Sequence, residues 1–486
     1  MGQEISGLAL VRRAVMIAGM TIRVLLGAVI AAGLFIAAFA TTRYLTAEPT
    51  AEEDWTLASS DAGPLIQINV EHDPAGSVRV AYQLSQSRRA LDFGRIAPGR
   101  RPERWRIESS GFEFQETPEG DRLVRTDGAA FDAVIISVAT DGPRLLKTYQ
   151  PVSSYGEGGV LFYTGHFWPA APFRGRAEAN FSFTPAPGAK VSAFGQSTDQ
   201  LADWQSPMNH PAYVYMGPVP PIRDGAVNTI FDPASPLWVQ RELVSLAPKI
   251  FTYLEAVMGF PLATTPDFFL TAPQSPDDGR LSFSGDALPG QVQMTIVGGA
   301  WATPSQRARD LFRRAAIHEA VHLWQTAARP ASRSTPAWIH EGAADAIAAD
   351  AMFALGFWDT RQQSEAFERT KSECAGELEK GPLSSARKRG DYRALYACGH
   401  VIAVAVAEAE RSNTAAFWKD FIGQAREKRS VYTEGGFYDF VAARTQNEEF
   451  QTALRAFVRT PHAAPARSID RLFAAAHSPL AHGRGR

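Results

Sequence analysis

The sequence predicts an α+β chain of several domains: an antiparallel β-sandwich-like domain, then a mixed domain, then an all-helical region. Three observations lead to this prediction. The chain has 486 residues, which exceeds the roughly 100 to 200 residues of one ordinary domain. Residues 64–200 contain short runs of alternating polar and apolar residues bounded by Gly, Asp and Pro, a pattern typical of strands. From about residue 220 the apolar spacing becomes mainly that of helices.

The composition is that of a globular protein that does not bind nucleic acid. The apolar fraction is 45% and the charged fraction 21%, both ordinary for a folded domain. The formal net charge is −2, and no stretch holds a long run of Lys and Arg. The positive surface that nucleic-acid binding requires is therefore not expected.

Residues 1–47 are predicted to be a signal peptide or a membrane anchor. Three arginines precede an uncharged run from Val24 to Ala40, which is near the minimum length of a membrane-spanning helix. Residues 38–40 also form a small-x-small site of the kind that signal peptidase cleaves. In either case the positive flank stays cytoplasmic and the remainder is exported. We expect a periplasmic or extracytoplasmic protein with a linker at 48–63, anchored in the inner membrane by residues 24–40 if they are not cleaved.

The chain has two cysteines, Cys374 and Cys398, and both fall in the part expected to be exported. In an oxidising compartment an even number of cysteines permits a disulfide. The sequence therefore predicts a disulfide between them, with two small buried thiols as the alternative.

The part after the sandwich-like domain divides into a mixed domain, residues 220–358, a helical domain, 359–475, and a tail, 476–486. The mixed domain is predicted to contain a helix at 237–259 despite Pro248, and strands within 265–273 and 291–301. In the sandwich-like domain, His166 lies within a predicted strand, where a lone histidine is expected to be packed.

A metal-binding pattern occurs in "AAIHEAVHLWQ", Ala315 to Gln325. The segment is predicted to be helical, so His318 and His322 lie about 40° apart around the axis and about 6 Å apart along it. Both rings can therefore share one ion. Glu319 is turned about 100° aside, where it can contact a water molecule on the metal instead of the metal itself.

A second helical pattern supplies a third candidate ligand. Eighteen residues, including a Pro-containing turn, separate His322 from Glu341 in "PAWIHEGAADAIA". Two helices joined by such a loop can bring Glu341 against the two histidines. Two histidines and a glutamate form the ligand set of a catalytic Zn²⁺ site with one position open.

These motifs resemble those of the gluzincin metallopeptidases, in particular the aminopeptidase N and glycyl aminopeptidase families. The likeness rests on the HExxH-x18-E spacing and on Trp338 to Gly342, which match the signature W-[LI]-x-E-G. The order of parts over residues 64–475 is also similar. The resemblance implies a thermolysin-like zinc catalytic domain at 220–358, a peptide or protein substrate, and hydrolysis of peptide bonds with Glu319 as general base.

The resemblance also implies two further site residues. Asp345 follows Glu341 by four residues, the spacing with which thermolysin-like enzymes hold the outer ring nitrogen of the first histidine; a solvated helix aspartate is the alternative. Tyr396 stands in "LYACG", similar to a family helix whose tyrosine stabilises the reacting carbonyl oxygen. Tyr392 and a packed core tyrosine are the alternatives. His340 and His400 are expected to be structural.

One departure from the family bears on specificity. Relatives carry an acidic residue on the strand before the zinc helix, where it binds the substrate's free amine, but residues 291–301 contain none. We therefore expect an endopeptidase whose substrate pairs with residues 291–298, with an aminopeptidase as the alternative. Asp286 is the one nearby acid that could replace the missing anchor. A third hypothesis is a zinc-stabilised envelope binding or assembly module with a vestigial site, against which Glu319 counts.

Overall fold

A computed structural model describes residues 65–94, 100–141, 149–170, 177–207, 210–273, 279–327, 335–428 and 431–477. The predicted leader, linker and most of the predicted tail lie outside these ranges. Within them, no helix combines the length and apolar character that crossing a membrane requires.

The amino-terminal domain is a β-sandwich, because side chains of two sheets share one apolar core. Phe162 of one sheet, for example, contacts Phe183 of the other, with ring centroids 5.9 Å apart. The strands are β1 (Ile66–Asp73), β2 (Ser77–Arg88), β3 (Ala90–Gly94), β4 (Trp105–Ile107), β5 (Phe112–Thr117), β6 (Gly120–Arg125), β7 (Phe131–Ala139), β8 (Val152–Ser154), β9 (Val160–Tyr163), β10 (Ala179–Thr184), β11 (Lys190–Ala193), β12 (Gln196–Thr198), β13 (Leu201–Trp204) and β14 (Tyr213–Gly217), with a short helix α1 (Arg100–Arg104) before β4.

The two main sheets have the strand orders β13-β10-β1-β2-β7-β4 and β12-β11-β14-β9-β8, and a small sheet has the order β3-β6-β5. The pairing is antiparallel as predicted, except that β1 and β10 run parallel. Since β13 and β14 belong to these sheets, the predicted domain end at residue 200 is too early; the sandwich extends to Gly217.

The central domain packs helices against one five-stranded sheet. Its elements are β15 (Ile222–Arg223), β16 (Asn228–Phe231), α2 (Leu237–Met258), β17 (Asp267–Thr271), β18 (Ser282–Leu288), β19 (Gln291–Val297), α3 (Gln306–Thr326) and α4 (Ala337–Ala354). Helix α2 contains Pro248, as predicted. The strand order is β15-β16-β17-β19-β18, so β18 lies at the edge of the sheet.

The position of β19 contradicts the prediction that substrate pairs with residues 291–298. Strand β19 is hydrogen-bonded to β17 on one side and to β18 on the other. Its backbone groups are therefore already used, and a peptide cannot add to it. The strand that can accept a peptide at this end of the sheet is β18.

The carboxy-terminal region is helical and shares one apolar core with the central domain. Its helices are α5 (Thr360–Leu378), α6 (Ala386–Arg389), α7 (Tyr392–Glu410), α8 (Thr414–Glu427), α9 (Glu434–Thr445), α10 (Glu448–Arg459) and α11 (Pro465–Ala476). A disulfide joins Cys374 of α5 to Cys398 of α7, with Cα atoms 4.8 Å apart.

Helices α4 and α7 cross at two glycines. A Cβ atom added to Gly342 would overlap the backbone of Gly399, and one added to Gly399 would overlap the carbonyl of Trp338. Only glycine permits this approach, since any side chain would separate the helices. The crossing sets the helix that carries Glu341 directly against the helix that carries Tyr396.

Candidate metal centre

Three buried side chains from α3 and α4 converge on one point. Nε2 of His318 lies 3.1 Å from Nε2 of His322, and Oε2 of Glu341 lies 3.2 and 3.4 Å from these two atoms. Ligands around a tetrahedral Zn²⁺ with bonds of about 2.0 to 2.1 Å stand about 3.3 Å apart. The spacing of the three atoms therefore fits the predicted ligand set.

The outer nitrogens of both histidines have acceptors that determine the tautomers. Nδ1 of His318 donates to Oδ1 of Asp345 over 3.0 Å, and Nδ1 of His322 donates to Oε1 of Gln325 over 2.6 Å. The orientation of the Gln325 amide follows from its Nε2, which donates to the carbonyl of His340 over 2.9 Å. When both rings are neutral, with the protons on the Nδ1 atoms, both Nε2 atoms present lone pairs to the centre.

Two nitrogen lone pairs and a carboxylate oxygen that converge on one point are stabilised by a cation placed there. Although burial lowers the pKa of His318, its hydrogen bonds to Asp345 and Glu341 raise the pKa to about 10. Burial likewise opposes ionisation of Glu341, but the neighbouring His322 and His318 hold its pKa well below the usual range. The site therefore favours added positive charge, which a divalent cation supplies.

Glu319 lies between the metal-binding point and the edge strand. It is buried on α3, and a Cβ atom added to Gly285 of β18 would overlap its carboxylate. Burial raises the pKa of Glu319, which makes the carboxylate a better proton acceptor. Glu319 and Phe283 line a small cavity together with His318 and Tyr396.

Tyr396 lies closer to this cavity than Tyr392 does. The ring of Tyr396 is 5.7 Å from that of His318, centroid to centroid. Tyr392 lines the adjoining cleft with Thr370 and Arg393. The structure therefore brings Tyr396, the preferred of the two candidates, to the site; its catalytic role stays a prediction.

His340, His400 and His166 are buried or partly buried, and His340 supports the site. His340 stacks on the ring of His322 at 4.4 Å and forms a hydrogen bond with the hydroxyl of Tyr432. Burial lowers the pKa of His340 to about 3 and that of His400 to about 4, so both are neutral. His166 lies in a short 3-10 turn instead of the predicted strand, with Nε2 bound to the carbonyl of Tyr149.

Asp286 is the acidic residue nearest to Glu319 along the edge strand. It follows Gly285 in β18, so its side chain points to the opposite face of the sheet. There the hydroxyl of Tyr213 donates to its Oδ2 over 3.4 Å. The edge strand therefore carries an acid, as the sequence indicated, but its side chain lies on the face of the sheet away from Glu319.

Gln325 is a site residue that the sequence analysis did not identify. It is fully buried, although it lies on α3 three residues after His322. The sequence showed only a glutamine one helical turn after a predicted ligand. Glutamine is too common in helices for this position to identify a site residue without the structure.

Comparison with known proteins identifies the fold. No family model and no curated protein matches the chain. Among solved structures, an aminopeptidase N family protein from Idiomarina loihiensis matches with a TM-score of 0.58 at 12% identity, over 82% of this chain and 76% of that one. Yeast LTA4 hydrolase in complex with bestatin matches with a TM-score of 0.49 at 14% identity, over 85% and 71%. An M1 zinc metallopeptidase mutant from Deinococcus radiodurans gives 0.48 at 14%, over 83% and 95%.

The chain has the α+β fold of the aminopeptidase N family protein, which confirms the predicted fold class and, at the level of fold, the resemblance drawn from the motifs.

Proposed function

We propose that the chain is a zinc-dependent hydrolase of peptide bonds in which His318, His322 and Glu341 hold the metal. The observation that supports this most strongly is the convergence of their three ligand atoms beside a buried carboxylate, that of Glu319. Zinc bound in such a site acts as a Lewis acid, which activates a water molecule and polarises the substrate carbonyl.

The protein's own groups carry the proton transfers and the charge stabilisation. Glu319 accepts a proton from the attacking water and later returns it to the leaving amine. The hydroxyl of Tyr396 donates a hydrogen bond to the carbonyl oxygen as negative charge develops there. Asp345 and Gln325 keep the two histidine rings in position.

For specificity, we propose an aminopeptidase that pairs the substrate with β18. An extended peptide can add to the outer edge of this strand, the last in the order of the sheet, through backbone hydrogen bonds. A buried ammonium requires a carboxylate partner; the half-buried Asp286 follows the glycine that contacts Glu319, with its side chain on the opposite face of the sheet. The name of the Idiomarina loihiensis protein, which belongs to the aminopeptidase N family, supports the same choice.

An endopeptidase is the second candidate, and the contact between Asp286 and the Tyr213 hydroxyl favours it. If that contact persists when substrate binds, the carboxylate is not available to an amine. A vestigial site in a binding module is less well supported, because such a site needs no buried general base.

Paired peptides with free and acetylated amino termini distinguish these functions. We expect the protein from residue 65 onward to release single amino-terminal residues from free peptides, to lose this activity with a chelator, and to leave acetylated peptides intact. Internal cleavage of acetylated peptides, seen by mass spectrometry, would identify an endopeptidase; no cleavage of either peptide would contradict both.

We also propose that the chain is exported, with residues 24–40 as its anchor if the leader is uncleaved. The disulfide between Cys374 and Cys398 supports this, because such bonds persist in oxidising compartments. Protease treatment of cells with a permeabilised outer membrane should degrade the protein. Complete protection, with the enzyme in the cytoplasmic fraction, would contradict the proposal.

A further inference from the structure

Asp345, the partner of the first histidine ligand, is held at both of its oxygens. Oδ1 accepts the hydrogen bond from His318, and Oδ2 forms an ion pair with Nη2 of Arg314 over 3.0 Å. Fixing both oxygens prevents rotation of the carboxylate, which in turn fixes the imidazole ring. Arg314 lies one turn before His318 on α3. The same helix therefore carries the histidine ligand and the guanidinium group that holds Asp345, the hydrogen-bond partner of that histidine.

The Arg314–Asp345 ion pair lies at the wall of the cleft beside the metal site. The two side chains are 23% and 13% exposed, and they line a small cleft together with Thr370 and Tyr396. Without the guanidinium, water from this cleft can bind Oδ2 of Asp345. The carboxylate would then be free to turn away from His318.

The second histidine has no such dependence on a charged group. Its partner Gln325 is fully buried and is held by the backbone carbonyl of His340. The first ligand is therefore the one whose orientation depends on an ion pair near solvent.

We propose that Arg314 is a positioning residue that sets the zinc affinity of the site by fixing Asp345 and, through it, His318. The inference rests on the proposed zinc-dependent function. Loss of an outer partner of a metal-binding histidine typically weakens metal binding about 10 to 100-fold. Removing a positive charge beside a cation site would by itself strengthen binding, so a weakened affinity cannot be a simple charge effect.

The zinc dissociation constant, measured by competition with a chelating indicator, tests this. We expect Arg314→Gln to weaken zinc binding about 10-fold or more, and Arg314→Lys to recover most of the affinity. Arg313→Gln is the matched control: Arg313 directly precedes Arg314 in α3 and forms a similarly buried ion pair with Glu242, 2.6 Å long. This variant should bind zinc as the parent does.

A double variant shows whether Arg314 acts through Asp345. In an Asp345→Asn background, Arg314→Gln should cause no further loss of zinc affinity. The inference is overturned if Arg314→Gln binds zinc as tightly as the parent, if Arg313→Gln loses as much, or if the losses of the double variant add. A parent protein that binds no zinc would overturn the proposed function as well, whereas a zinc-binding parent with unaffected Arg314 variants would overturn this inference alone.

Discussion

The two histidine ligands were predictable from the sequence because their geometry is local, whereas Glu341 depended on the spacing shared with a known family. The offset of His318 and His322 follows from the helical repeat alone, and the same repeat places Glu319 to one side. Gln325 and Arg314 were not predictable in this way. Their roles depend on the carbonyl of His340 and on Asp345, which only the packing of α3 against α4 brings within reach.

The two tyrosines at the start of α7 give a prediction at the level of single residues. Tyr396→Phe should lower kcat by about 10² to 10³, the usual effect of removing one donor to a developing oxyanion, while zinc content and unfolding temperature stay unchanged. Tyr392→Phe is the matched control, because Tyr392 lines the adjoining cleft instead. A larger loss in the Tyr392 variant would mean that the donor has been assigned to the wrong turn of the helix.

Asp350 on α4 gives a prediction about stability and pH. Burial raises its pKa to about 6, against a hydrogen bond from Thr414 that lowers it. Above pH 6 the Asp350 carboxylate is charged while buried, which destabilises the folded state. As the pH falls from about 6 to 4, Asp350 becomes protonated in the folded protein but not in the unfolded chain, so this destabilisation disappears. Asp350→Asn should therefore raise the free energy of unfolding at pH 7.5 by about 1 to 3 kcal/mol.

Denaturant unfolding at several pH values measures this effect. The advantage of the Asp350→Asn variant should shrink toward zero by pH 4, because the parent carboxyl is then neutral as well. The exposed Asp439 of α9 provides the control, and Asp439→Asn should change little at any pH. A stabilisation that is constant with pH would contradict the explanation by buried charge.

Among the elements, the two strands before the zinc helix show where sequence reasoning failed. Strands β18 and β19 are both short and partly apolar, and local pattern does not reveal which one lies at the sheet edge. The order β17-β19-β18 is set by pairing between segments distant in the chain. The peptide-binding edge was therefore assigned to β19, although β18 carries both Gly285 and Asp286.

The contact between β18 and α3 can be tested with one substitution. Gly285→Ala places a methyl group on the carboxylate of Glu319 and should displace it, so hydrolysis should fall by at least about 10²-fold while zinc stays bound. Gly376→Ala is the control, since that helical glycine of α5 has open space around it and alanine there should stabilise the helix by about 0.5 to 1 kcal/mol. Full activity in Gly285→Ala would place the general base elsewhere.

At the scale of the whole molecule, the order of domains was predictable but their assembly was not. Alternating and helical patterns distinguish the sandwich from the later helices. The contacts between domains instead rely on isolated polar residues. Both side-chain polar atoms of Gln291 bond the backbone of Tyr213, at 2.7 and 2.8 Å, and Asp267 accepts from the backbone of Phe194 and Gly195. These hydrogen bonds attach the sandwich to the central sheet. No local sequence pattern predicts them.

The contacts between the domains also show what surrounds the candidate site, which lies in the central domain. The sandwich meets the edge strand on one side, and α7 meets the zinc helices on the other through Gly342 and Gly399. The sandwich places Tyr213 beside Asp286, and the helical region places Tyr396 beside His318. The central domain alone would therefore present the metal ligands without Tyr396, the proposed donor to the substrate carbonyl.

The central claim is that this fold holds a working zinc hydrolase, and the Glu319→Gln variant at verified zinc occupancy tests it most directly. Zinc content and the rate of peptide hydrolysis should be measured on the same preparations of parent and variant. We expect one zinc per chain in both proteins, and a rate about 10² to 10⁴-fold lower in the variant, because the general base is lost while the ligands remain. Equal rates in the two proteins, or a parent that binds no zinc, would contradict the account.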